Sequence, residues 1–372
     1  MGERILFAIF LIFTVTAAIQ IFYYYFFYLA PFTYKPAIKD HSGQPVSVII
    51  CARNEAENLR NFLPSVLEQD FPDFEVIVVN DCSEDHTNIV LGEFLDRYPN
   101  LRVSTITRDP KFSHNKKFAQ FIGIKAAKNE ILLFTDADCR PASNKWMEGM
   151  SSHFDKKTSY VLGYGGYTKE KSLLNAYIRT DTVVIAMQYI GMAIKGIPYM
   201  GVGRNLAYRR SEFFANRGFG QHSNLASGDD DLFINSNARV SNTSVEFSPP
   251  THTRSVPCTT VEEWIKQKKR HLTTAPYYKP WDKFLLIAEP LSRVIFYSSF
   301  IVLLSFNFLW IQALTVFGIR LLTQVTVFNL VQKKLEETGL VTYSVIFDIF
   351  SPLINSFLFF GNKVKPGKNQ WS

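Results

Sequence analysis

Two carboxylates one residue apart, Asp136 and Asp138, close the apolar run that starts at Glu130-Ile-Leu-Leu-Phe134. Acids projecting from a strand end can hold a hard divalent cation, Mg²⁺ or Mn²⁺, and that cation can bridge a diphosphate. Further along, Asp229, Asp230 and Asp231 are consecutive. Three adjacent acids repel one another, so at least one should carry a raised pKa, which suits a general base. Arg270 is a permanent cation with a planar fork, able to hold an anionic group bidentately. Each feature also has a plainer reading. Two acids after a strand are often a polar turn, and an acidic triplet is often a solvated helix start.

Other chemistries lack their residues. A dinucleotide site needs a glycine-rich turn after the first strand. Here that turn reads Cys51-Ala-Arg-Asn-Glu-Ala-Glu-Asn58, without glycine. Gly201-Val-Gly203-Arg-Asn-Leu-Ala207 stands apart from any βαβ start and is a chance match. No P-loop occurs. Cys51, Cys82, Cys139 and Cys258 are scattered, with no C-x-x-C pair and no zinc spacing. Unpaired thiols suit a reducing compartment.

The elements that must position these groups alternate. Short β-branched runs begin at Val46, Phe74, Leu101 and Glu130, about one βα unit apart. Between them the apolar residues take helical spacing, as at Leu59, Phe62, Leu63, Val66 and Leu67. The pattern predicts helices over 55–69, 84–97 and 115–128. Alternation of this kind predicts an α/β domain with a mostly parallel sheet, helices on both faces and strands buried on both sides. Ligands of such sheets bind beyond the carboxyl ends of the strands. Arg53, Asn54 and Glu55 follow the first strand, Asp81 ends the second, and Asp136 and Asp138 follow the fourth.

Both ends of the chain read as membrane. The composition, 47% hydrophobic and 15% aromatic, excludes a disordered chain. From Ile5 to Tyr34 no residue is charged. That exceeds the ~20 helical residues a bilayer core needs, and residues 1–34 are expected to form a retained transmembrane anchor. The run is too long, and too aromatic from Phe22 to Tyr28, for a cleaved signal peptide. Val294 to Ile319 is charge-free, and Arg320 is then the lone charge before Lys333. A turn at Asn307 would give a hairpin of two spans, 286–306 and 309–330. The last run, 340–361, carries Asp348 and Pro352 and fits a re-entrant or interfacial helix. Lys35, Lys39, Lys266, Lys268, Lys269, Lys279, Lys283, Lys333 and Lys334 flank these runs on what would be the cytoplasmic side. The net charge of +7 is accounted for by the membrane. No basic helix with interleaved aromatics is present, so no nucleic acid partner is expected. Residues 171–200 predict an amphipathic helix lying against membrane or domain. Tyr277, Tyr278 and Trp281 are expected at the membrane interface, and Trp264 in a core or interface.

Taken together, these segments resemble family 2 glycosyltransferases of GT-A fold. Val48-Ile-Ile-Cys-Ala-Arg-Asn-Glu55 looks like that family's first strand and nucleotide loop, and Val79-Asn-Asp81 its second. Lys116-Lys-Phe-Ala-Gln-Phe-Ile-Gly-Ile124 resembles a helix whose lysine precedes an A-x-N-x-G run, with Gln120 and Ile122 replacing commoner residues. Thr135-Asp-Ala-Asp138 is similar to the metal-binding D-x-D, and Gly203-Arg-Asn205 to the segment lining donor sugar and acceptor. Ser227-Gly-Asp229-Asp230-Asp231 looks like the motif supplying the base. Gln267-Lys-Lys-Arg270-His271 resembles Q-x-x-R-W, with histidine in place of tryptophan.

The resemblance spans roughly 44–275. It implies a GT-A nucleotide-diphospho-sugar transferase fold over 44–282, flanked by the N-terminal transmembrane helix and a membrane-associated region over 283–372. It implies a membrane-bound, hexosyltransferase-like enzyme of the cell envelope, multi-pass in an inner or cell membrane. The donor would be a UDP- or GDP-sugar, the acceptor a lipid or lipid-linked glycan, the chemistry inverting. The expected roles are Asp230 as base with Asp229 and Arg270 beside it. Asp138 and Asp136 would hold the metal. Arg53, Asn54, Glu55, Asp81, Lys117, Asp136 and Gln267 would touch the donor, and Gly203, Asn205 and His271 the acceptor. A processive polysaccharide synthase, a membrane-tethered nucleotide-sugar binder without activity, and a phosphatase-like hydrolase are the competing readings. The hydrolase would need its D-x-D on the first strand, whereas here it ends the fourth.

Overall fold

The computed structural model describes residues 2–35, 43–108, 115–222, 225 and 227–361. Lys39, expected to flank the first span, and the end of the C-terminal region lie outside them. The chain opens with α1 (Gly2–Tyr23), a single π-helical stretch (Tyr24–Tyr28) and the short α2 (Ala30–Thr33). Strands and helices then alternate: β1 (Val46–Ala52), α3 (Ala56–Leu67), β2 (Phe74–Asp81), α4 (Thr87–Leu95), β3 (Leu101–Ile106), α5 (Lys116–Ala126) and β4 (Ile131–Asp136). Next come β5 (Cys139–Pro141), α6 (Trp146–Ser151), β6 (Tyr160–Gly163), β7 (Gly165–Tyr167), α7 (Leu173–Ile194), β8 (Leu206–Arg209) and α8 (Arg210–Ala215). Then follow α9 (Asp231–Asn237), β9 (Thr243–Glu246), β10 (Thr253–Ser255) and α10 (Val261–Leu272). Three long helices close the chain: α11 (Pro280–Ser305), α12 (Trp310–Lys334) and α13 (Val341–Phe360).

The main sheet has the order β3-β2-β1-β4-β8-β6-β9. Its first four strands are parallel, as the alternation predicts. β8 runs antiparallel to both β4 and β6, so the sheet is mixed. Alternate residues of β1 feed two cores. Val46, Val48 and Ile50 join α3 and α4, whereas Ile49 and Cys51 join α5 and the layer beneath it. A second sheet, β5-β10-β7, has no counterpart in the sequence reading. Its strands are three residues long, too short to show a period.

α7 departs from the expected amphipathic helix. Ser172 caps it, its side chain accepting from the N–H of Asn175. Most of its length is enclosed, between the sheet and the apolar helices. Gly191 makes that approach possible: a Cβ there would lie 2.1 Å from the carbonyl oxygen of Phe27. The aromatic run is correspondingly split. Phe22, Tyr25 and Phe26 are exposed, while Tyr23, Tyr24, Phe27 and Tyr28 belong to the core.

Four helical stretches, Gly2–Thr33, Pro280–Ser305, Trp310–Lys334 and Val341–Phe360, are long and apolar enough to cross a membrane. The turn between α11 and α12 has Asn307 and Leu309 at positive φ, where a bend was expected. α13 is one continuous helix despite Asp348 and Pro352. The Asp348 carboxylate is matched inside the bundle by Arg320 at 2.7 Å and Arg293 at 3.2 Å, and Arg293 also pairs with Glu289 at 2.9 Å. Arg320 further donates to Gln20 of α1 at 2.7 Å. Two cations and two carboxylates thus neutralise each other where isolated charge would be costly.

Candidate active site

The site is built on the carboxyl edge of β1, β2 and β4. After β1 the backbone turns through Asn54, whose φ of 56° is a left-handed value that asparagine tolerates. The Asn54 N–H donates to Ser83 Oγ at 2.9 Å, and its side-chain oxygen accepts from the N–H of Glu84 at 2.8 Å. Asp85 and Thr87 accept from the N–H groups of Ala56 and Glu55. These bonds stitch the loop after β1 to the loop after β2. Asn54 therefore gives its N–H and its side-chain oxygen to the loop. The Glu55 carboxyl is pushed up to about 7 by burial and by the charges of Asp138, Asp136 and Asp85, against a hydrogen bond from Asn58. Arg53 keeps one buried guanidinium nitrogen without a hydrogen-bond partner among the described residues. Asp81 has no exposed surface, so a nucleoside could reach it only after it is uncovered.

Asp136 ends β4, and Asp138 sits in the turn into β5. Lys116, in the first turn of α5, donates to Asp136 Oδ1 at 2.6 Å. Burial opposes the Asp136 charge, but Lys116, with Arg204 and Arg270 farther off, outweighs it and holds the carboxyl below its usual range. Asp138 goes the other way: burial and the Asp136 charge raise it, against hydrogen bonds from Ser255 and Cys139. Ser255 Oγ reaches Asp138 Oδ2 at 2.6 Å. One ligand atom each of Asp136, Asp138 and Cys139 lies within 4.8 Å of the others. Burial and the neighbouring Asp138 push the Cys139 thiol well up, so it stays protonated. The two carboxylates are the ligands suited to a hard cation.

Lys116 also links this pair to the acidic triplet, with its Nζ 3.8 Å from Asp229 Oδ2. The three acids have separate tasks. Asp231 accepts from Thr274, from Tyr278 at 2.7 Å and from the N–H of Leu232, which fixes it as part of the framework. Tyr278 is consequently buried beneath the site, correcting its expected place at the membrane interface. Tyr277 and Trp281 are exposed. Asp229 is buried between charges. Asp230 caps α9 and accepts from the N–H of Gly203 at 2.7 Å and of Asp231 at 2.8 Å. Its carboxyl is pushed up to about 7 by burial, then by Asp229 and Asp231, against Lys116 and the Gly203 N–H. A Cβ on Gly203 would sit 3.3 Å from Asp230 Oδ2 and 3.5 Å from Lys116 Nζ, so glycine leaves the cleft open there.

α10 supplies the remaining wall. Its capping box joins Thr260 and Glu263. Arg270 lies close enough to Asp136 for its charge to act there. Gln267 accepts from the Tyr167 hydroxyl at 3.4 Å. His271 keeps an open surface in the cleft. Desolvation, then Arg270, Lys268, Arg204 and Lys116, hold its imidazole neutral. Trp264 packs edge-on against Tyr177 of α7.

Two expected ligand contacts are corrected. Asn205 is completely buried, not at the acceptor site. It accepts from Trp146 Nε1 at 3.0 Å and donates to the carbonyls of Tyr164 and Thr251 at 2.8 Å, which ties three segments together. Lys117 is turned inward, donating to the carbonyl of His222 at 2.6 Å, so its neighbour Lys116 is the lysine of the cleft. The sequence reading also passed over Arg204 and Ser255. Arg204 lies 4.3 Å over the Tyr167 ring with one buried nitrogen unpartnered among the described residues. It stood inside a quoted motif. Ser255 had no local signal, because its partner is 117 positions away.

Residues 47–214 match the family model described as glycosyl transferase family 2. A probable glycosyltransferase of Bacillus subtilis, YdaM, is 29% identical over 45% of this chain and 40% of its own length. Glycosyltransferase AglE of Haloferax volcanii is 37% identical over 28% of this chain and 33% of its own. The chain thus spans less than half the length of either relative. Among solved structures, the mannosyltransferase PcManGT of Pyrobaculum calidifontis, in complex with GDP-Man and Mn²⁺, has a TM-score of 0.65. It is 17% identical, with 98% of this chain and 100% of that one covered, a likeness of fold. Residues 47–214 thus resemble glycosyl transferase family 2, and the chain around them takes a mixed GT-A-like α/β fold.

Proposed function

We propose that this chain moves a sugar from a UDP- or GDP-linked donor to a lipid or lipid-linked glycan at the cytoplasmic face of a membrane. Residues 1–34 would be its anchor, 44–282 its catalytic domain and 283–372 its membrane region. One observation carries the reading. Lys116 touches Asp136 and Asp229 together, so the D-x-D and the acidic triplet belong to a single cleft. Asp136 and Asp138 would hold a divalent cation, Mg²⁺ or Mn²⁺, and their oxygen ligands suit it. When bound, such a cation supplies positive charge for the diphosphate leaving group.

The chain's own residues do the rest. Arg270 and Arg204 face the same charge as fixed cations, and the unpartnered nitrogens of Arg204 and Arg53 favour an anionic ligand. Glu55 and Gln267 would line the donor, Gly203 and His271 the acceptor side. Asp230 would take the acceptor hydroxyl proton as the sugar is displaced, giving inversion. Its raised pKa matches that task, since a base works best near ambient pH. The interior of the apolar helices is filled by Arg320, Asp348, Gln20 and Gln324, which favours single transfer over threading a polymer.

The test is a panel of nucleotide sugars offered to the purified chain, with and without Mn²⁺ or Mg²⁺. Thermal stabilisation and transfer to a lipid extract are read in parallel. A donor that stabilises only with metal and transfers its sugar is the expected result. Stabilisation by none of them overturns the proposal.

A further inference from the structure

The link between α12 and α13 carries a carboxylate that reaches far from the membrane helices. Glu337 is 1% exposed and accepts from three residues of the catalytic fold. Arg179 of α7 donates its Nε at 2.9 Å, the Tyr164 hydroxyl donates at 3.1 Å, and Arg254 of β10 donates one guanidinium nitrogen. Arg254 also holds the carbonyl of Leu335 at 3.0 Å. A buried guanidinium, Arg179, and a partly buried one, Arg254, share one carboxylate, so removing it leaves both uncompensated. Gly166 on β7 makes room for the arrangement. A Cβ there would lie 2.1 Å from an Arg254 nitrogen and 3.0 Å from both Glu337 Oε1 and the Tyr164 hydroxyl.

β10 is three residues long, and its side chains alternate. Arg254 faces the link, while its two buried neighbours face the other way, toward Arg204 and Asp138. Thr253 Oγ1 donates to the carbonyl of Arg204 at 3.0 Å. Ser255 Oγ donates to Asp138 Oδ2 at 2.6 Å, and the N–H of Val256 donates to the Asp138 carbonyl at 3.2 Å. Among the described residues β10 pairs with β5 and β7, each three residues long. The grip at Arg254 adds to the backbone ties of Thr253 and Ser255 in setting its position.

We infer that Glu337 is a positioning residue for Asp138. Through Arg254 it helps to fix β10, and through Ser255 and Val256 it orients the carboxylate that receives the cation. This rests on the reading of Asp136 and Asp138 as cation ligands. Partners behind a metal ligand typically alter metal affinity when lost.

The experiment is Mn²⁺ titration of the full chain in nanodiscs, following the free ion by electron paramagnetic resonance. Glu337→Gln, Arg254→Gln and Asp348→Asn are compared with wild type below their unfolding temperatures. Asp348→Asn breaks a buried ion pair among the apolar helices and serves as the equally disruptive control. Glu337→Gln and Arg254→Gln should each weaken Mn²⁺ binding about tenfold, with Asp348→Asn unchanged. Should Glu337→Gln fail to fold, Arg254→Gln carries the test, because it leaves Arg179 and Glu337 as a balanced pair. Unchanged affinity in a folded clamp variant, or an equal loss in Asp348→Asn, overturns the inference alone. Wild-type protein that binds no Mn²⁺ overturns the proposed function, and the inference with it.

Discussion

Replacing Asp230 by asparagine tests the chemistry most directly. The change keeps the shape and removes the charge. Asp230 Oδ2 and Oδ1 each accept one backbone N–H, from Gly203 and Asp231. An amide can accept only one of them, and a buried N–H left unpaired costs about 1–3 kcal/mol. Against that, two repelling carboxylates lose their neighbour, so the net change in stability should be small. Activity should respond very differently. A positioned general base contributes ~10²–10⁴-fold, or ~2.7–5.4 kcal/mol of barrier. The expected result is a fall in kcat of that size with donor affinity retained. The pH profile supplies the second readout. Since Asp230 works deprotonated and its carboxyl is raised to about 7, wild-type kcat/KM should climb with pH and level off above about 7. That limb should vanish in Asp230→Asn. For stability the sign is opposite. A carboxyl raised on folding stabilises most below its unfolded pKa, and the contribution is lost as pH rises through about 7. The assay is initial-rate transfer across pH 5–9, with donor binding by calorimetry (the pH span is a rough working window). A variant that keeps near wild-type kcat, or loses donor binding in step with kcat, refutes the assignment.

Three further outcomes follow from the same geometry. Asn205→Ala strands Trp146 Nε1 and two carbonyls, so it should destabilise by roughly 2–4 kcal/mol in denaturant unfolding. Donor affinity measured below the transition should stay the same, and selective loss of acceptor KM would return Asn205 to the acceptor site. Asp348→Asn removes the partner shared by Arg320 and Arg293, and should cost about 3–5 kcal/mol. Thermal unfolding in nanodiscs checks this, and an unchanged midpoint would mean the network is not stabilising. Chelation with EDTA should abolish transfer, and Mn²⁺ or Mg²⁺ should restore it; activity that survives chelation would remove the cation from Asp136 and Asp138.

The βα half of the domain was legible because its signals are local. β1 to β4 are continuous apolar runs, and α3 to α5 show helical spacing, so strand ends and the acids on them could be read together. The apolar helices were legible for the same reason, including the bend at Asn307. Other features were set by contacts between distant residues. β5, β7 and β10 are too short for a period, and only their pairing makes them a sheet. α7 has the composition of an amphipathic helix, but enclosure on nearly every side defines it. Lys116 and Lys117 are indistinguishable as a sequence pair; helix rotation sends one into the cleft and the other to His222. Motif spacing located Asn205, yet burial made it a brace. Residue types and their order thus determined which chemistry was available. The direction each side chain faces was decided by packing, because a rotation of one residue on a helix, or a step of one on a strand, exchanges cleft for core.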